Sequence, residues 1–132
     1  MGFDLRRGDD AFSLGYHTWT RAYAFAIEGG WEPCGTLPPD SISVEARARW
    51  EGRYDSNDGQ IITADDASNM ATALKMSLLT IAAPVASDIT DFDLPSLAGG
   101  RIGPRRYFTL KEKHRILQSL IEFLQGGACE IW

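Results

Sequence analysis

The sequence predicts a single α+β domain, residues 1–132, with three main helices packed on a small sheet. Three observations carry that prediction. Apolar residues recur at helical spacing in three separate stretches, each closed by glycine or proline. A polar turn, Asp55–Gly59, sits beside short β-favouring runs. The length of 132 residues, with 44% hydrophobic and 23% charged residues, suits one core without disulfide or metal staples.

Phe3–Leu5 is a candidate first strand. The first helix is expected at about 13–28, with Ser13 as N-cap and Gly29-Gly30 as its stop. Trp19, Ala22, Tyr23 and Ala26 form its stripe, and Tyr16, Phe25 and Ile27 make the rest nearly as apolar. Such a helix is either central to the core or covered by a partner. A proline-rich connection follows through Pro33, Pro38 and Pro39. From Val44 to Tyr54 the chain alternates apolar and charged residues, so a strand is expected near 50–54. Val44–Ala48 stays open between strand and helix, because its Ala and Glu content and the Glu45/Arg49 spacing suit a helix.

Asp55–Gly59 is read as a turn and 60–62 as a short strand leaving it. Thr63 then caps a helix over 64–81, with Asp66 three residues on in the capping-box place. Ala67, Met70, Ala71, Leu74, Leu78 and Ile81 form its stripe, and Pro84 sets its end. Val85–Gly103 lacks any period and is expected to be a loop. Thr109 and Glu112 form a capping box for a helix over 110–125, with Leu110, Leu117, Leu120, Ile121 and Leu124 inward. Gly126-Gly127 closes it before a terminal strand at 128–132.

The net charge of −5 argues against nucleic acid and membrane surfaces as partners. One stretch runs the other way: Arg101, Arg105, Arg106, Lys111, Lys113 and Arg115 face the single acid Glu112. No apolar run approaches membrane-spanning length, and the opening MGFDLRRGDD has no signal-peptide core. Cytoplasm is the expected location. Cys34 and Cys129 lack metal-ligand spacing and are expected to be buried, reduced thiols.

No motif names a reaction or a cofactor. The loop carrying Asp55, Asn57 and Asp58 invites a calcium reading, with Asp55 and Asn57 at the first and third positions of an EF-hand. Its glycine then falls at the fifth place and not the sixth, and Asp66 stands where the bidentate Glu belongs, so no metal is expected. The same loop remains a candidate polar binding lip. His17 shares a solvated helix face with Arg21 and Glu28, and His114 borders an apolar stripe, so both are read as structural. In the basic stretch, Arg105, Arg106 and Tyr107 are candidate anion- or partner-binding residues, arginines for bidentate contacts and the ring for stacking.

The opening MGFDL, the segment Ser56–Ala71 with its SNDG turn and Thr63-capped helix, and the closing GGACEIW of Gly126–Trp132 together resemble a family of small uncharacterised bacterial proteins. The resemblance leaves 32–55 and 83–108 outside it and implies no particular activity. The functional expectation is a small intracellular interaction or regulatory module without catalysis, binding another protein or its own copy. The aromatic-rich, nearly all-apolar first helix and, separately, the four tryptophans of the whole short chain motivate it. One alternative is a small enzyme using surface carboxylates and a histidine, Asp55, Asp58 and His17. Another is an anion- or nucleic-acid-binding protein acting through 101–115.

Overall fold

The computed structural model describes residues 2–81 and 103–132. In chain order these form β1 (Gly2–Arg7), β2 (Asp10–Gly15), α1 (Tyr16–Glu28), α2 (Val44–Ala48), β3 (Gln60–Ile62), α3 (Ala64–Leu78), α4 (Pro104–Tyr107), α5 (Lys111–Gln125) and β4 (Cys129–Ile131). The fold is α+β. The loop expected over 85–103 lies, apart from Gly103, outside the described residues.

The sheet has the order β2-β1-β4-β3 and is antiparallel throughout. β1 and β2 form a hairpin whose two-residue loop is Gly8-Asp9, since Arg7 pairs with Asp10. Gly8 stands at φ 60°, which a side chain would resist. The C-terminal strand β4 inserts between β1 and β3, and Asp4 and Trp132 exchange backbone bonds of 2.9 and 2.7 Å beyond its end. One sheet face is apolar: Phe3, Leu5, Leu14, Ile62 and Ile131 are buried in the same core as α1, α3 and α5.

Two local devices fix the helices. α1 ends in a Schellman pair, Trp31 N–H to the Ala26 carbonyl at 2.9 Å and Gly30 N–H to that of Ile27 at 3.0 Å, with Gly30 at φ 101°. Beside it Gly29 lets the helices touch: a Cβ there would lie 2.1 Å from the Ala73 carbonyl oxygen of α3. α5 has no basic residue in its last turn. The cation comes from β1, where Arg7 donates to the carbonyls of Phe123, Gly127 and Ala128 while lying 4.3 Å over the Phe123 ring.

Several expectations need correction. The first helix begins at Tyr16, not Ser13, and its N-cap Gly15 makes no side-chain bond. Ser13 lies in β2, where its hydroxyl donates to Asp4 at 2.6 Å. The strand expected near 50–54 is irregular chain, because Gly52 at φ 72° breaks the extended run. The open segment Val44–Ala48 is a short helix capped by Ser43. α3 starts as expected, with the Thr63 hydroxyl accepting from Asp66 N–H, but stops at Leu78. α5 begins after Leu110 without a side-chain cap; Thr109 instead donates back to the Arg106 carbonyl at 2.6 Å. A residue already closing α4 is not free to open α5.

The stripe of α3 yields a direct test. Leu74 is fully buried and Lys75 exposed. Leu74→Ala should cost ~2–5 kcal/mol and Lys75→Ala close to nothing, read from urea midpoints. Coinciding midpoints would refute this packing.

Candidate functional site

The site is built around one buried carboxylate. Asp66 falls in the first turn of α3, where unpaired N–H groups and the helix dipole favour negative charge. It is fully buried, and among the described residues it has no ion-pair partner. Hydrogen bonds take that role. Its Oδ1 accepts from the Trp31 indole N–H at 3.0 Å and from the Cys34 backbone N–H at 3.2 Å, and its Oδ2 accepts from the Tyr54 hydroxyl. The same Tyr54 oxygen accepts from Gly35 N–H at 2.9 Å. Burial, and then the neighbouring carboxylate, push the Tyr54 phenol well above its ordinary value.

These bonds hold two loops against each other. The segments 33–37 and 50–55 are joined further by Thr36 N–H to the Gly52 carbonyl at 3.2 Å and Trp50 Nε1 to the Thr36 carbonyl at 2.8 Å. Thr36 Oγ1 also donates to the Arg53 carbonyl at 2.6 Å. A Cβ on Gly52 would come within 3.0 Å of the Gly35 Cα, so the loops cross backbone to backbone. Between them and α1 lies a cleft of about 680 Å³. Trp19 and Tyr54 lie deep in it, with Trp19 Nε1 donating to the Tyr54 carbonyl at 2.7 Å. Tyr16, Thr20 and Tyr23 supply the helical wall, and Cys34, Gly35, Glu51, Gly52, Arg53 and Asp55 the loop wall. Arg53 and Asp55 pair at 2.9 and 3.3 Å, and the Arg53 guanidinium holds the Asp55 carboxyl below the usual range. Glu51 has no such partner among the described residues.

The candidate residues are dispersed. Of Asp55, Asn57 and Asp58, only Asp55 reaches the cleft. Asn57 Nδ2 donates to the carbonyls of Gly2 at 2.8 Å and Trp132 at 3.0 Å, which is structural work. Asp58 donates its N–H to Gln60 Oε1 at 2.9 Å. His17 is exposed outside the cleft, and His114 Nδ1 lies 3.2 Å from the Phe108 carbonyl oxygen. Among the described residues neither meets a carboxylate as a general base would. No group of three or more metal-ligating side chains occurs among the described residues.

The basic candidates separate as well. Arg105 donates to Thr80 Oγ1 at 2.8 Å and to its carbonyl at 2.9 Å, closing the end of α3. Arg106 is exposed. Tyr107 is buried, with its hydroxyl 2.7 Å from Thr18 Oγ1, so its ring is not open to a stacking ligand. The apolar face expected on α1 is likewise internal at its centre. Phe25 is fully buried between exposed Tyr16 and Ile27, so the three form no patch. Cys34 is exposed, against expectation, while Cys129 is buried.

Sequence reading missed the cleft because its residues are far apart and its aromatics look like core. A usable signal existed in the glycines Gly35 and Gly52, each flanked by an aromatic or proline within two residues. The opening, middle and closing segments meet elsewhere: Gly2, Asn57, Gly59 and Trp132 form one junction, and a Cβ on Gly59 would lie 2.7 Å from the Trp132 ring. No helix among the described residues is long and apolar enough to cross a membrane. No protein-family model, curated protein or solved structure matches the chain.

Two predictions follow from the buried groups. Asp66→Ala orphans three donors at ~1–3 kcal/mol each where they stay dry, so a loss of about 3 kcal/mol or more is expected. Asp65→Ala, exposed one position earlier, should move the urea midpoint little. Equal midpoints would remove Asp66 from its central role. The second concerns alkaline pH. Burial pushes the Cys129 thiol from 9.0 up to about 11, and Tyr54 moves in the same direction. The unfolded chain therefore releases these protons first: the stabilisation from Cys129 is complete below pH 9.0 and is lost as pH rises through about 11, and that from Tyr54 is lost only at higher pH. Melting temperature should fall over that window, and Cys129→Ala should flatten the fall even if its own melting point starts lower.

Proposed function

We propose that the protein is a recognition module without catalytic activity and that its binding site is the cleft between α1 and the loops 33–37 and 50–55. The observation that carries this reading is the state of the polar groups around the cleft. The Tyr54 hydroxyl, the Trp19 indole and the Cys34 N–H are all engaged in holding the walls. Asp66 pushes the Cys34 thiol up, and burial adds to the effect, which disfavours the thiolate that a cysteine nucleophile needs. What is left to a ligand is shape, ring surface and a charged rim. A volume of about 680 Å³ lies within the usual range of ligand sites.

The module's own surface supports a partner more than a reaction. Tyr16 and Leu37 are among its exposed large apolar side chains, and Tyr16 lines the cleft. An unpaired and exposed Cys34 suits the reducing cytoplasm. We read the resemblance to small bacterial proteins as a shared structural junction around Asn57 and Trp132, separate from the binding cleft.

A fragment and short-peptide screen followed by ¹⁵N-resolved NMR tests the reading. Hits should perturb the amides of Thr20, Gly35 and Gly52 and the Trp19 indole as one group. Thr20→Arg, a change on the partly exposed helical wall, should abolish those shifts while leaving melting temperature within a few degrees. Hits that cluster elsewhere, or that survive Thr20→Arg, would overturn the assignment.

A further inference from the structure

We infer that the cleft selects an organic cation, an ammonium or guanidinium head on a short aliphatic stem, through its aromatic lining and the carboxylate of Glu51. This rests on the cleft being the binding site and specifies what enters it.

The charges on the cleft point one way. Among the described residues its one cation, Arg53, is held by Asp55 through two contacts, at 2.9 and 3.3 Å. Glu51 makes no close ion pair among the described residues, and although the Arg53 charge acts on it too, Glu51, Arg53 and Asp55 together leave net negative charge on the wall. Asp66 stands buried directly behind the Cys34 and Tyr54 segment of that wall, where bulk solvent does not screen it. Its charge lies one hydrogen bond behind the wall, 3.2 Å from the Cys34 N–H, and the Cys34 thiol is pushed up by Asp66 first, by burial next and by Asp65 last. An anionic ligand would meet that potential without a free cation to receive it.

The rings supply the second half. Tyr16, Trp19, Tyr23 and Tyr54 all contribute to the lining, and a ring face attracts a cation within about 6 Å through its quadrupole. The protein already uses this contact within its own fold: Arg7 lies 4.3 Å over Phe123, and Arg21 and Lys113 lie 4.8 and 5.5 Å over Tyr107. The cleft offers the same chemistry to a ligand, with an acid at the rim to fix the head and apolar ring surface for the stem. A neutral ligand of the same shape would gain the stem contact alone.

The experiment compares three probes of one shape on the intact protein by NMR titration: choline, its neutral isostere with a tert-butyl head, and the matching carboxylate. Choline should move the Trp19 indole and the Gly35 and Gly52 amides, and the isostere should bind about two- to fivefold more weakly, the size of an exposed cation–π contact. The carboxylate should bind least. Glu51→Gln, on an exposed position, should weaken choline by about two- to fivefold and leave the isostere unchanged. Capped arginine and lysine amides, run alongside, assign the source: tighter binding than choline indicates a partner's basic side chain, weaker binding a free amine. Equal affinity for choline and the isostere would overturn the cation while leaving the cleft as a site. Absence of any cleft shift with all probes would overturn both.

Discussion

The carboxylate of Asp66 accepts from three donors brought by three stretches of chain, Trp31 after α1, Cys34 in the following loop, and Tyr54 before the polar turn. Burying such a group without a cation is costly unless every lone pair is met by a well-placed donor. The chain meets this requirement by placing Asp66 at the positive end of α3 and bending both loops towards it. The consequence spreads outward. Trp31 can reach Asp66 only because the Schellman turn at Gly30 ends α1 where it does. Tyr54 can reach it only because Gly35 and Gly52 let the loops cross. The walls of the cleft are thus set by a group that the cleft does not expose.

How far the sequence disclosed this depends on whether the signal was local. The start of α3 was legible because a threonine hydroxyl, a helix start and an apolar stripe all lie within a few residues. The stripe of α5 was legible for the same reason. Its cap was not, because Thr109 had a competing use at the end of α4. The hairpin at Gly8-Asp9 carried a two-residue turn signal, yet Ser13 and the apolar run behind it favoured an early helix start. The alternation over 44–54 failed for a different reason: a left-handed glycine at Gly52 interrupts what the side-chain pattern suggests. The candidate site was the least legible part. Asp55 was singled out as a polar lip, but the partner it meets is Arg53, two residues away, and the buried anchor is Asp66, which sequence alone assigned to helix capping.

The cleft also explains why an aromatic-rich first helix does not make a sticky surface. Trp19, Ala22, Phe25 and Ala26 face inward, so its apolar excess is spent mainly on the core. Tyr23 completes a cluster with Trp31 and Tyr54, with ring centres 5.2 to 5.6 Å apart. Trp31 meets both tyrosines edge to face, and such contacts fix ring orientation as well as burying area. The rings around the cleft are therefore held in place before a ligand arrives, which lowers the entropy cost of binding.

The placement of β4 between β1 and β3 has a mechanical consequence. Asp4 and Trp132 are bonded to each other at the same end of the β1–β4 ladder. A force pulling Gly2 away from Trp132 acts across those bonds and loads them one pair at a time, as in opening a zipper. Asn57, which grips both the Gly2 and the Trp132 carbonyls, sits where that tear would begin. Resistance to stretching therefore depends on a single amide side chain before it depends on the sheet.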